Sequence, residues 1–85
     1  IGQIEGAFVQ GMGLFTCEEV LFSDRGQLRT NTLNSYKIPT VAQIPRKFNV
    51  TLWPNSKNDR AVHSSKAVGE PPLFLGYSVF AAVKD

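Results

Sequence analysis

Residues 1–16 read IGQIEGAFVQGMGLFT, and this stretch decides the fold that we predict for the chain. Its large apolar residues recur at intervals of four, four and three positions, which places them on one face of a helix. They are Ile4, Phe8, Met12 and Phe15. Gly6, Gly11 and Gly13 interrupt this helix, and each costs about 1 kcal/mol relative to alanine. We therefore expect the helix to pack closely against another backbone.

The middle of the chain predicts a short antiparallel sheet. Residues 20–22 and 27–30 form candidate strands on either side of a turn in which Gly26 supplies a positive φ. Apolar and polar residues alternate over residues 48–53, which is the period of a strand with one buried face. Residues 61–64 suit a further short strand.

Two further segments complete the predicted architecture. Residues 31–45 are rich in asparagine, threonine, serine and proline, and they predict an extended loop anchored by Tyr36 and Ile38. A final helix is predicted from Pro71, because apolar residues then recur at helical spacing and a first turn tolerates proline. The expected fold class is α+β, with an N-terminal helix, a short antiparallel sheet that includes a hairpin, and a C-terminal helix.

Composition excludes several classes of protein. Nine basic and seven acidic residues are scattered along the 85 residues and give a net charge of +2, so no basic tract indicates nucleic acid or an anionic membrane. No apolar run approaches the roughly 20 residues that a membrane-crossing helix needs. The single cysteine, Cys17, cannot form an internal disulfide. Both termini interrupt predicted helices, so we interpret residues 1–85 as a fragment of a larger domain, truncated at both ends.

The residues of greatest chemical interest are 65–76, which read SKAVGEPPLFLG. Glu70 follows Gly69, which permits close approach of a backbone, and precedes Pro71, which disfavours the helical conformation for the residue before it. An extended carboxylate at a helix start is favoured in its ionised form by about 0.3–1 kcal/mol, and an ionised, fixed carboxylate suits a general base. Spacing alone favours a carboxylate that merely caps the helix, because helix starts commonly carry acids.

Three runs of the sequence occur together in one known family. Residues 66–75, KAVGEPPLFL, form the first run; residues 1–16, followed by the two glutamates at 18–19, form the second. Residues 36–39, with Ile-Pro at 44–45, fall between them. In this order the runs resemble the end of the molybdopterin-binding domain of xanthine dehydrogenases and oxidases, which are molybdenum hydroxylases. Two long motifs at a fixed separation are far more specific than a lone glycine pattern.

The resemblance implies roles for four residues. Glu70 matches the family's catalytic base, which takes a proton beside the molybdenum without ligating it. Gln3 matches a glutamine that contacts the pterin, and an amide suits a ring edge that carries donors and acceptors. Spacing alone would instead make Gln3 a solvent-facing residue. The backbone of Val68 and Gly69 is expected to line the same site, and no residue of the chain is expected to ligate a metal.

The resemblance also implies an activity. It implies oxidation of hypoxanthine and xanthine to urate, with water as the oxygen source. Electrons would pass through 2Fe-2S and FAD groups in the remainder of the enzyme to NAD or O2, in a cytoplasmic or peroxisomal homodimer. The chain alone is not expected to be active, since a catalytic site needs its supporting shell.

Two alternatives remain open from the sequence. Aldehyde oxidase belongs to the same family, but members of that branch often carry serine-glycine after the glutamate. This chain has proline at positions 71 and 72, so the resemblance favours xanthine dehydrogenase. The alternative from another class is a small non-enzymatic interaction module, in which Glu70 only caps a helix and a strand edge binds a partner.

Other reactive or aromatic residues receive structural interpretations. His63 has no second ligand nearby in sequence, so it is expected to be an ordinary structural histidine. Cys17 is expected to pack as a small apolar residue, and Trp53 to pack at the edge of the sheet. The adjacent glutamates, Glu18 and Glu19, are expected to be solvated surface.

Overall fold

A computed structural model describes all 85 residues, as helices joined by irregular segments. Helix α1 spans Gly2–Thr16, α2 spans Glu70–Leu75 and α3 spans Tyr77–Lys84. Two 3-10 helices, at Val41–Gln43 and Val62–Ser64, lie between α1 and α2. None of the helices combines the length and the apolar character that crossing a membrane would take.

Helix α1 crosses the C-terminal helices at very short range. A Cβ atom on Gly11 would overlap the carbonyl oxygen of Leu73, and a Cβ atom on Gly76 would overlap the backbone of Gly11 and Met12. Gly11, Met12 and Gly76 are all buried. The glycine at position 11 thus brings two backbones together, which confirms the predicted close packing there.

The other two glycines of α1 have different surroundings. A Cβ atom on Gly13 would meet the ring of Pro39 and the carboxylate of Glu18, which are side chains and not a second backbone. A Cβ atom on Gly6 would meet nothing within 4 Å. The prediction of backbone packing is therefore wrong for Gly6 and Gly13.

Aromatic side chains hold α3 against the end of α1. The ring of Phe15 meets Tyr77 edge-on at 5.4 Å between centroids and lies 6.5 Å from Phe80. Tyr77 and Phe80 are themselves 5.6 Å apart. Aromatic pairs of this kind each contribute about 0.5–1.5 kcal/mol beyond the burial of their surface.

The predicted C-terminal helix differs from the observed one in two ways. It begins at Glu70, one residue before Pro71, and it is divided at Gly76 into α2 and α3. The amide of Gly76 donates to the carbonyl of Leu73, 3.0 Å away, which tightens the helix at the division. The division lies at the glycine that touches α1, so a local helix-ending residue and a tertiary contact coincide there.

The predicted α+β class is wrong, because the structure contains no β-strand and no sheet. The predicted hairpin is reduced to a single antiparallel bridge between Phe22 and Leu28, around a turn in which Gly26 has a φ of 74°. Residues 48–53 have no pairing partner, and residues 61–64 include a 3-10 helix instead of a strand. A strand needs a neighbour for its backbone groups, and an isolated hairpin is marginal in water.

The chain encloses almost no core. Met12, 7% exposed, is its one buried large apolar side chain. The accessible surface is 7452 Å², whereas a compact chain of this mass would expose about 5,000 Å². The radius of gyration is 16.6 Å, against about 12 Å for a compact domain of this length. The helix crossing is therefore the main organised feature, and it carries the candidate site.

Candidate functional site

A surface groove brings together residues from the two ends of the sequence. Its volume is about 400 Å³, and α1 forms one wall while the start of α2 forms the other. Its eight lining residues include Gln3, Gly6, Ala7, Gln10, Gly69 and Glu70. We call it the Gln3–Glu70 groove.

The α1 wall follows from helical periodicity. Residues spaced three, four or seven apart share one side of a helix, so Gln3, Gly6, Ala7 and Gln10 form a continuous strip. The partly buried apolar residues Ile4 and Phe8 lie on a different side, and Phe8 packs on the ring of Phe48 at 5.2 Å. The strip next to α2 therefore carries polar side chains at its ends and small residues in its middle.

The α2 wall presents Glu70 at its first residue. Gly69 precedes the helix, and its carbonyl accepts the amide of Leu73 at 3.4 Å. The expectation that Glu70 is extended is therefore wrong: the two prolines occupy the first turn, where they lose no helical hydrogen bond, and Glu70 joins that turn. Pro72 is buried, which fixes the start of α2 on the rest of the chain.

The carboxylate of Glu70 is exposed at the groove. The one cation within residues 65–76 is Lys66, and its ammonium donates to the carbonyl of Ser56 at 3.0 Å and to the hydroxyl of the same residue. Lys66 therefore bonds to the preceding loop and not to Glu70. The carboxylate remains available to a ligand or to a proton.

The predicted site residues are brought together in part. Gln3, Gly69 and Glu70 line the Gln3–Glu70 groove. Val68 does not; it is 42% exposed and lines a separate apolar pocket that includes Lys66. Gln10 lines the groove although the sequence analysis did not select it. Helical periodicity could have identified Gln10, since it lies seven residues after Gln3 on the same side of α1.

The groove suits a polar, bulky ligand that is held by side-chain amides. A Cβ atom placed on Gly2, Gly6 or Gly69 would meet nothing within 4 Å, so the glycines leave open space along it. The donor set is two amides and a carboxylate, which matches the mixed donors and acceptors of a pterin edge. No group of three His, Cys, Asp or Glu side chains is arranged to hold a metal ion. The amides and the carboxylate of the groove fit the pterin that the resemblance implies.

A second polar contact joins the end of α1 to the following loop. The hydroxyl of Tyr36 donates to Oε2 of Glu18 at 2.6 Å. This hydrogen bond, with burial and the negative charge of Glu18, raises the pKa of Tyr36 above its ordinary value of 10.0. Glu18 is half-buried, so its interpretation as solvated surface is wrong, whereas Glu19 is exposed.

The other residues that were given structural interpretations lie outside the groove. Trp53 is 85% exposed, so its expected packing role is wrong. His63 is exposed and has a φ of 52°, in the left-handed region. Cys17 is half-buried, and its thiol approaches the carbonyl of Lys37 at 3.8 Å.

Comparison with known proteins shows the family of the chain. Residues 1–45 match the family described as molybdopterin cofactor-binding domain. Over all 85 residues the chain is 59% identical to a xanthine dehydrogenase of Calliphora vicina, 56% identical to a xanthine dehydrogenase/oxidase of Rattus norvegicus and 58% identical to aldehyde oxidase 4 of Cavia porcellus. It spans 6% of the length of each of these relatives. The chain therefore belongs to the molybdopterin cofactor-binding domain family, and its resemblance to the molybdenum hydroxylases is confirmed.

Proposed function

We propose that this chain supplies one wall of the cofactor site and the catalytic base of a xanthine dehydrogenase or oxidase. The observation that carries the proposal is the Gln3–Glu70 groove, which joins an amide from α1 to a carboxylate from α2. The family match and the identity to xanthine dehydrogenases support the same function and disfavour a non-enzymatic interaction module.

Each proposed oxidation inserts one oxygen atom from water into a C–H bond and releases two electrons and two protons, so that hypoxanthine yields xanthine and xanthine yields urate. When bound, the molybdenum cofactor supplies the site that takes up the two electrons. In our proposal, 2Fe-2S and FAD groups outside this chain pass them to NAD or O2. The residues that recognise the purine also lie outside it.

Three residues of the groove have a defined part in this proposal. Glu70 accepts the proton that leaves as the water-derived oxygen forms its bond to carbon, because its carboxylate is exposed at the groove and Lys66 does not pair with it. Gln3 holds the pterin edge through its amide. Gly69 leaves the space that lets the ligand approach the backbone before α2.

Aldehyde oxidation is the second candidate. The identity to aldehyde oxidase 4 of Cavia porcellus, 58%, lies within the range for the xanthine dehydrogenases, so overall similarity does not separate the two. The prolines that follow Glu70 favour the purine substrate, because the resemblance implies serine-glycine at these positions in many aldehyde oxidases.

The experiment that tests the proposal uses the full-length protein in ¹⁸O-labelled water. Xanthine and an aromatic aldehyde are supplied separately, and the products are analysed by mass spectrometry. We expect labelled urate from xanthine, with turnover well above that of the aldehyde. Labelled carboxylic acid with no urate would replace this proposal with the aldehyde oxidase function. Unlabelled products would contradict both.

A further inference from the structure

We propose that Gln10 is a second amide that holds the pterin cofactor, at a polar edge separate from the one held by Gln3. This inference deepens the proposed function and rests on it, since it requires the cofactor to lie in the Gln3–Glu70 groove. Sequence reasoning selected one glutamine, whereas the groove presents two.

The two amides lie on one side of α1 and are separated along its axis. Seven residues correspond to almost two helical turns, so the directions of Gln3 and Gln10 differ by only about 20°. The helical rise places their Cα atoms about 10 Å apart. One small planar group could not bridge that distance, but the two edges of a fused ring system can each meet one amide.

The groove residues between the two amides have little or no side chain. Gly6 has no side chain, and Ala7 has only a methyl group. A Cβ atom on Gly6 would meet nothing within 4 Å, so no other part of the chain fills this space. Two polar side chains at the ends of a flat floor complement a flat ligand that has polar edges.

Both amides are available for a ligand. The side-chain amides that bond within the chain belong to Gln43, whose Oε1 accepts the backbone amide of Thr40 at 2.7 Å, and to Asn58, whose Nδ2 donates to the carbonyl of Ser65 at 2.7 Å. Gln3 and Gln10 are exposed and make no such bond. An unpaired amide offers two donors and an acceptor, which is the capacity that a pterin edge uses.

Gln10 also borders a second pocket, which contains Glu18 and Tyr36. The hydroxyl of Tyr36 donates to Glu18 at 2.6 Å, and neither residue forms a hydrogen bond with Gln10. The side-chain amide of Gln10 is therefore not engaged by that pocket.

The test compares three substitutions in the full-length protein: Gln10→Met, Gln3→Met and the control Gln27→Met. Methionine is close to glutamine in length and helix propensity, so the helix is retained while the amide is lost. Gln27 is exposed in the turn after α1 and lies outside the groove. Molybdenum and released pterin are measured per protomer during prolonged dialysis, and circular dichroism checks folding.

We expect Gln10→Met and Gln3→Met each to lose cofactor about two to ten times faster than the wild type, the change that one hydrogen bond confers. Gln27→Met should match the wild type. If Gln10→Met fails to fold, Gln10→Ala is measured in its place and the same loss is expected.

The outcomes separate this inference from the proposed function. Cofactor loss in Gln3→Met with none in Gln10→Met would overturn the role of Gln10 and leave the proposed function standing. Full retention of cofactor in Gln10→Met with a raised KM for xanthine would also overturn it, because Gln10 would then face the substrate. Full retention in both groove variants would remove the groove as the cofactor site, and the proposed function would fail with it.

Discussion

The helix crossing and residues 46–69 differ in what supports their backbone. In the crossing, Gly11 touches Leu73 and Gly76 touches Met12, so the two ends of the chain stabilise each other. Residues 46–69 include a run with strand periodicity, yet no segment of the chain pairs with it. The difference shows that a helix needs only its own hydrogen bonds and one face to pack, whereas a strand needs a neighbour.

The comparison also concerns the candidate site. The Gln3–Glu70 groove lies beside the crossing, where backbone contacts hold α1 against α2. Rigid elements hold catalytic groups more accurately than loops do, which suits the base that we propose. The following predictions concern the full-length protein and run from the largest expected loss of stability to the smallest effect.

Substitution of Gly11 by alanine should break the crossing. The added methyl group overlaps the carbonyl oxygen of Leu73, which belongs to backbone and cannot rotate away. We expect a loss of about 1–3 kcal/mol in the free energy of unfolding, measured by denaturant titration. Gly6→Ala is the matched control, because its methyl group meets nothing within 4 Å and alanine favours a helix. Equal stability of the two variants would contradict the close crossing.

Substitution of Phe15 by leucine should loosen α3 without separating α2 from α1. The change removes the aromatic pairs of Phe15 with Tyr77 and Phe80 but keeps an apolar side chain. We expect a loss of about 1–2 kcal/mol, from pairs worth about 0.5–1.5 kcal/mol each, measured as a lower thermal midpoint. Phe22→Leu, in the bridged turn, should change the midpoint much less. A larger effect for Phe22 would mean that the turn supports the fold more than α3 does.

Substitution of Gly26 by alanine tests the turn itself. Gly26 has a φ of 74°, which costs a residue with a Cβ atom about 1 kcal/mol. We expect a loss no greater than this in the free energy of unfolding, and faster amide hydrogen exchange at Arg29, whose amide donates to the carbonyl of Leu21 at 2.8 Å. Gly26→Asn should lose less, because asparagine tolerates the left-handed region. Equal losses for the two would show that the turn does not keep this conformation.

Deprotonation of Tyr36 should occur at a higher pH than in free tyrosine. Its hydrogen bond to Glu18 raises the pKa of Tyr36, and the Glu18→Gln variant should return it towards 10.0. Because the pKa of Tyr36 is raised in the folded protein, its hydrogen bond to Glu18 stabilises the fold fully below pH 10.0. This contribution is lost as pH rises through the raised pKa. Absorbance at 295 nm, as the difference between wild type and Tyr36→Phe, measures the titration. A midpoint at or below 10.0 would contradict the contact.

Much of the helical architecture could be predicted from local spacing, and most of the rest could not. The apolar stripe that contains Met12 predicts α1, and Gly11 predicts close packing, because both signals are local. The period of residues 48–53 equally predicts a strand, but pairing is a non-local property that one sequence does not reveal. The predicted packing of Trp53 at a sheet edge was wrong for the same reason, and its side chain is 85% exposed.

The candidate site was predictable to a different degree at each residue. Spacing alone made Glu70 a helix cap and Gln3 a surface residue, and only the family resemblance selected them together. Val68 was selected with Gly69 because the backbone there was expected to approach the cofactor, but Val68 lines another pocket. Gln10 was missed although helical geometry places it on the same side of α1 as Gln3, because periodicity shows which residues share a side and not which side meets α2.

The most direct test of the account compares Glu70→Gln with the wild type in xanthine turnover, with molybdenum content measured in both. Glu19→Gln is the matched control, since Glu19 is exposed and lies outside the groove. The account predicts that kcat falls by about 10²- to 10⁴-fold in Glu70→Gln with molybdenum retained, the contribution typical of a general base, while Glu19→Gln stays at the wild-type rate. A Glu70→Gln protein that keeps both its molybdenum and its kcat would contradict the claim that Glu70 is the base.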